Sequence, residues 1–160
     1  MSAKVEIVPN GDRAILITRT FMAPRALVFD AMTKADMMLN WFHGAPGWTL
    51  VVCEIDLRVG GTYRWVWRNS AGDEMGMGGV YKEVVRPERL VTTEKFDQAW
   101  YPGEAVGTLV LTEEGGKTLM SLTVEYESPA ARDGVLAVEM GDEMEVGYAR
   151  LDEYFANLKS

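Results

Sequence analysis

Among side chains suited to reaction chemistry, this sequence offers one histidine, one cysteine and two carboxylates spaced beside aromatic residues in strand-like segments. His43, in Trp-Phe-His-Gly-Ala-Pro-Gly, acts as a general acid or base only with a partner and a positioned substrate. After a short helix it reads instead as a helix-terminal cation or a loop residue. His43 and Cys53 supply two metal-ligand types without ligand-like spacing, so no metal site is expected. Nor do they make a Ser-His-Asp or Cys-His set that can be defended, and no catalytic residue and no cofactor is assigned. Glu83 shares strand parity with Tyr81, and Glu94 with Phe96. Either carboxylate points inward if no bulge intervenes, as a polar anchor or as a base with a raised pKa. A bulged or solvated position is the favoured expectation for both.

A larger set of residues speaks of binding. From Gly60 to Tyr81, tyrosine and two tryptophans occupy alternate positions, and the chain returns over a polar turn with two methionines and a tyrosine. Parity puts Tyr63, Trp65 and Trp67 on one strand face and Arg64, Val66 and Arg68 on the other. The arginines belong in water, so the aromatic face is expected to point inward. Such residues pack any core, yet methionine adapts to irregular shapes, and Trp and Tyr combine an apolar body with a polar tip. The candidate cavity lining is Trp41, Trp48, Tyr63, Trp65, Trp67, Met77, Tyr81, Phe96, Tyr126, Met140, Met144 and Tyr148. Met140, Met144 and Tyr148 are expected to face Tyr63, Trp65 and Trp67 across the interior.

The elements that would position this wall follow from periodicity. Val-Glu-Ile-Val-Pro-Asn-Gly reads as a short strand and turn leading into a longer strand. Pro24 suits the first turn of a helix, and Thr33 with Asp36 resembles the capping box of a second short helix, ended by His-Gly-Ala-Pro-Gly. From about Trp48 to Glu127 the chain alternates in roughly six strands, broken at Arg-Val-Gly-Gly, Asn-Ser-Ala-Gly-Asp, Arg-Pro-Glu, Tyr-Pro-Gly-Glu and Glu-Glu-Gly-Gly-Lys. Asp56 and Arg58 are expected to fix a turn by local hydrogen bonds. Glycine clusters at 59–61 and 76–79 fit neither dinucleotide nor phosphate-loop spacing and read as bulges or close approaches. After Pro129 the period becomes helical: Met140, Met144, Tyr148, Leu151, Phe155 and Leu158 share one face, while Glu139, Asp142, Glu143, Glu145, Asp152 and Glu153 fall largely elsewhere and are expected to be wet. Gly147 is expected to let that helix pass close to the strands. The result is an α+β domain.

Bulk properties limit the partners. The 160 residues suit a single domain spanning 1–160. A net charge of -8 disfavours nucleic acid and anionic membrane surfaces. A lone cysteine, the absence of a signal-like N-terminal segment and the lack of a long apolar run predict a cytoplasmic protein with no membrane insertion. Monomer and homodimer remain open.

Three stretches carry a family resemblance: Arg-Thr-Phe-Met-Ala-Pro-Arg through Asn-Trp-Phe, Glu-Ile-Asp-Leu-Arg-Val-Gly-Gly through Thr-Glu-Lys-Phe, and Thr-Leu-Val-Leu through Val-Glu-Tyr. They resemble the START-like (SRPBCC) superfamily, and within it the bacterial proteins related to the C-terminal domain of the activator of heat-shock protein 90 ATPase. The resemblance spans about Ile15 to Leu158. It implies the helix-grip fold, in which a curved antiparallel sheet of about six to seven strands wraps a long C-terminal helix, with two short helices after the first strand. It also implies an internal cavity for a small hydrophobic or amphipathic molecule. A non-catalytic carrier or sensor is the leading expectation. A cyclase/aromatase-like enzyme using Glu83 or Glu94, or a chaperone-binding module, are the alternatives.

Overall fold

The computed structural model describes residues 4–44, 46–97, 103–138 and 140–158. Residues 1–3, 45, 98–102, 139 and 159–160 lie outside them, among them Glu139 and the first two residues of the expected Tyr-Pro-Gly-Glu break.

The chain runs β1 (Glu6–Asn10), β2 (Ala14–Phe21), α1 (Arg25–Thr33), α2 (Ala35–Met38), β3 (Trp48–Ile55), β4 (Thr62–Asn69), β5 (Glu74–Val85), β6 (Arg89–Phe96), β7 (Ala105–Glu114), β8 (Lys117–Glu125), α3 (Pro129–Ala137) and α4 (Gly141–Leu158). All strands join one antiparallel sheet in the order β1-β2-β8-β7-β6-β5-β4-β3. Eight strands replace the expected six or seven. The middle of the chain holds six, as its turn chemistry predicts, and β1 and β2 add a hairpin through Gly11, whose positive φ of 66° suits the Pro-Asn-Gly turn.

Strand alternation defines the inner face. Ile15, Ile17, Arg19 and Phe21 of β2 are buried in register with Val124, Leu122, Met120 and Thr118 of β8. On the other half, Trp65 pairs with Met77 and Met77 with Phe96, so Tyr63, Trp65 and Trp67 point inward as expected. Arg64 and Arg68 lie outside, paired with Asp97 and Glu74.

Helix α4 lies against this face with Tyr148, Leu151 and Phe155 buried. Packing of this face sustains the helix, since most helical stability in proteins comes from burial of an amphipathic face. Each of these side chains contributes about 1.5–3 kcal/mol of apolar burial. Phe21 meets Tyr148 and Phe155 edge-on, with ring centroids 5.4 and 6.4 Å apart.

Several local expectations are corrected. Thr33 does not cap α2. It is the last residue of α1, where its hydroxyl donates to the Phe29 carbonyl 2.7 Å away, and Lys34 stands at the start of α2 without a side-chain cap. The C-terminal helical pattern is divided: Ser128 caps α3 by accepting from Ala131 N–H at 3.1 Å, with Pro129 in the first turn, and α4 begins only at Gly141. Glu145 and Asp152 are not simply wet, because both turn toward Arg19 of β2.

Candidate functional site

Two features of β5 and β6 decide the two candidate carboxylates. Between Tyr81 and Glu83 the register slips, Tyr81 pairing with Thr92 but Glu83 with Val91. This one-residue bulge at Lys82 reverses parity. Val84 turns toward the core, and Glu83 goes outside, 3.2 Å from Arg89. No such slip interrupts β6 against β7, so Glu94 keeps the inward parity of Thr92 and Phe96, opposite Ala105. The expectation of a solvated Glu94 is therefore corrected, while that for Glu83 stands.

The Glu94 carboxyl is deeply enclosed, and desolvation pushes its pKa up to about 7. It has no hydrogen-bond or ion-pair partner among the described residues. The residue nevertheless keeps some accessible surface. The side chain is thus neither fully packed nor freely solvated. Gly107, on the neighbouring strand, makes room for it: a Cβ there would stand 2.4 Å from Glu94 Oε2. Tyr148 on α4 lies near enough that a charged Glu94 adds to the burial that raises the phenol's pKa.

Trp65 gives a second unsatisfied group. Its indole N–H is buried without an acceptor. The other interior tryptophans are satisfied, Trp41 Nε1 donating to the Ala31 carbonyl at 2.9 Å and Trp67 Nε1 to that of Phe42 at 3.1 Å. A third sign of space is Gly147. It is buried, yet a Cβ built on it would meet nothing within 4 Å. The close approach expected at this glycine is absent, and α4 stands off from the sheet there.

The expected cavity wall divides in two. Trp67 and Met77 form a separate packed cluster with Met38 and Leu50, against which Trp48 lies. The larger cluster holds Trp41, Tyr63, Tyr81, Tyr126 and Tyr148, with Trp65, Phe96, Met140 and Met144 half-buried against it. Trp65 and Phe96 touch both clusters. Tyr63 is fixed by its hydroxyl, which donates to the Thr93 carbonyl at 2.6 Å. Thr93 presses on β5 so closely that a Cβ at Gly79 would stand 1.9 Å from its carbonyl oxygen, the close approach expected of the glycine cluster.

Tyr148 does not face Tyr63, Trp65 and Trp67 directly. Its ring meets Phe21 and Trp41. Phe42, which sequence reasoning passed over, is inserted between the two groups, 5.1 Å from Trp41, 4.8 Å from Trp65 and 5.3 Å from Trp67 by ring centroids. Met140 is also displaced from its expected place. It lines a groove of about 360 Å³ between β1, α3 and the start of α4, with Val5, Ile7, Val135, Leu136, Gly141 and Asp142.

Arg19 is the other residue missed. It is 2% exposed, its guanidinium bonded to Glu145 at 2.7 and 3.1 Å and to Asp152 at 2.5 Å, and it lies 5.0 Å from the Phe21 ring centroid. Its signal was present in the alternation of Ile15, Ile17, Arg19 and Phe21, and in the seven-residue spacing that puts Glu145 and Asp152 on one side of α4.

The remaining candidates are quiet. His43 Nδ1 accepts from Leu50 N–H at 3.1 Å, and burial with Arg150 nearby lowers its pKa, favouring the neutral ring. The Cys53 thiol sits 3.9 Å from Met38 Sδ and burial pushes it up to about 11, which disfavours a reactive thiolate. Arg58 Nε bonds the Asp56 carboxylate at 2.9 and 3.0 Å, holding the turn as expected. No helix among the described residues is long and apolar enough to cross a membrane.

Comparison with solved structures finds a protein from Rhodobacter sphaeroides that is 31% identical, with 97% of this chain and 99% of that one covered and a TM-score of 0.91. A protein from Silicibacter pomeroyi of the Hsp90-activator homologue type shares the fold at 18% identity, TM-score 0.71, covering 92% and 99% of the two chains. An Hsp90 activator from Plasmodium falciparum shares it more distantly, at 22% identity, TM-score 0.54, covering 71% and 72%. No match was found among functionally curated proteins. The family described as Activator of Hsp90 ATPase homolog 1-like protein matches residues 22–156, and the chain, with its eight-stranded sheet and C-terminal helix, belongs to that family.

Proposed function

We propose that this protein binds a small hydrophobic or amphipathic molecule between the sheet and α4, as a non-catalytic carrier or sensor in the cytoplasm. The observation that supports this most is the Trp65 N–H, buried without an acceptor among the described residues in an aromatic and aliphatic wall, on the same inner face as the unpartnered Glu94 carboxyl. A buried polar group without a partner costs about 1–3 kcal/mol, and a bound molecule that supplies the partner recovers that cost. Native mass spectrometry of the freshly purified protein should reveal a co-purified small molecule, and apolar compounds should quench tryptophan emission saturably. Met144→Trp should weaken that binding while leaving the fold intact, because it fills space. A broad apolar panel that changes neither tryptophan emission nor Tm would overturn the reading.

An enzymatic reading has one observation in its favour. A carboxyl held near pH 7 is suited to general acid–base work. It requires turnover of a bound substrate that is lost in Glu94→Gln. A chaperone-binding reading rests on the family and on the groove beside β1. It requires the purified chain to alter the ATPase rate of purified heat-shock protein 90.

A further inference from the structure

The interior polar groups differ in what they ask of a ligand. Trp65 Nε1 is a donor only, so its partner must be an acceptor. Glu94 accepts when ionised and also donates when protonated. The two residues project from β4 and β6 onto the same concave face, Trp65 through Met77 to Phe96 in register and Glu94 two residues before Phe96. No cation among the described residues pairs with Glu94. The inward arginine of the sheet, Arg19, is engaged by Glu145 and Asp152, and the lone histidine accepts from Leu50.

We propose that the ligand is a neutral, hydroxyl-bearing aromatic molecule, its hydroxyl anchored on Glu94 and an oxygen accepting from Trp65. The inference rests on the interior-binding reading above and names the chemistry it selects. A hydroxyl both donates and accepts, so it satisfies Glu94 in either protonation state. An ammonium head lacks the acceptor that Trp65 needs. A carboxylate head would stand beside a second enclosed carboxylate, with no cation paired to it among the described residues, an arrangement that disfavours both charges. Anionic amphiphiles such as fatty acids are therefore disfavoured, although their tails suit the wall. The flat half-buried face of Trp65 favours an aromatic body over a flexible one.

The test is equilibrium dialysis of the whole protein at pH 8, where Glu94 is mostly ionised, against four molecules of one shape: 2-methylnaphthalene, 2-naphthol, 2-naphthoate and 2-naphthylmethylammonium. The naphthol should bind at least about tenfold more tightly than the hydrocarbon, and the naphthoate more weakly than either. Glu94→Met should cut the preference for naphthol over hydrocarbon by at least about threefold, and Glu94→Met with Trp65→Phe should bring the two to within about twofold of each other. Glu94→Gln should keep the naphthol and relieve the exclusion of naphthoate. Trp65→Phe, which keeps an aromatic ring and removes the N–H, should weaken the naphthol more than the hydrocarbon. Binding of the hydrocarbon with no preference among heads, or tightest binding of the naphthoate or the ammonium, overturns the hydroxyl anchor and leaves interior binding standing. Failure of all four to bind, the hydrocarbon included, overturns the anchor and counts against interior binding itself.

Discussion

Arg19 on β2 and Glu94 on β6 are both ionisable residues on the inner face of one sheet, and their surroundings are opposite. Arg19 meets two carboxylates from α4 through its guanidinium, and the same carboxylates receive backbone N–H groups, Val5 to Glu145 at 2.7 Å and Met22 to Asp152 at 3.3 Å. Burial works against its charge, but the hydrogen bonds and charges of Glu145 and Asp152 together leave its pKa raised. Glu94 meets no partner among the described residues, and desolvation alone raises its pKa. The first site is closed on itself and joins β2 and the residue before β1 to α4. The second is left for something else to complete. Within one sheet, the satisfied buried charge belongs to the architecture, and the unpartnered one is the position on which the proposed binding rests.

The largest effect expected is on the closed site. Arg19→Met strands two carboxylates against the sheet, and should cost about 3–5 kcal/mol in urea unfolding. A loss below about 1 kcal/mol would show that the carboxylates relax into water and that the site does not hold the helix.

The open site should respond with the opposite sign. A carboxyl whose folded pKa is raised contributes stability below its ordinary value of 4.5 and loses that contribution as pH rises through about 7. The corresponding difference is roughly 3 kcal/mol as an upper bound, since Glu94 keeps accessible surface. Glu94→Gln should therefore stabilise the unliganded protein at pH 8 by up to about that amount, with the gain fading toward pH 4.5. Glu145 runs the other way: burial works to raise its pKa, but the hydrogen bonds of Arg19 and Val5 N–H and the charge of Arg19 outweigh it and lower the pKa, so its contribution is present above 4.5 and disappears as pH falls through the depressed value. Urea melts from pH 4 to 8 for wild type and Glu94→Gln would separate the two. A variant that is destabilised at pH 8 would mean that Glu94 is satisfied after all.

The same contrast extends to two tryptophans on one strand. Trp67→Phe breaks a hydrogen bond and loosens a packed cluster, at about 2 kcal/mol. Trp65→Phe removes an N–H that has no acceptor and should cost about 1 kcal/mol less. Equal losses would place Trp65 in the packed core with Trp67. The smallest effect belongs to the outer face. There, breaking the Arg64–Asp97 pair, whose side chains are 43% and 45% exposed, should move stability by less than about 1 kcal/mol in a double-mutant cycle.

How far each of these residues was legible follows from the range of the interactions that place it. Alternation alone put Tyr63, Trp65 and Trp67 inward, because pleat geometry is local and two exposed arginines fix the sign. Helical spacing likewise gave the Tyr148, Leu151 and Phe155 face of α4, and turn chemistry gave the six middle strands. The fates of Glu83 and Glu94 were not legible, since each depended on whether one residue bulges against a neighbouring strand. The slip at Lys82 moves Glu83 to water, and continuous pairing of β6 with β7 keeps Glu94 inside. Arg19 was hidden by the same reasoning that placed Arg64 and Arg68 correctly: an arginine belongs in water unless two carboxylates, here more than a hundred residues away, make another place for it. Phe42 and Gly147 were undetermined for a related reason. Whether a side chain fills the space under α4 or leaves it open depends on the distance between two elements, and no single stretch of sequence encodes that distance. Local periodicity determined which faces look inward; only the tertiary structure decided where those faces meet, and where they do not.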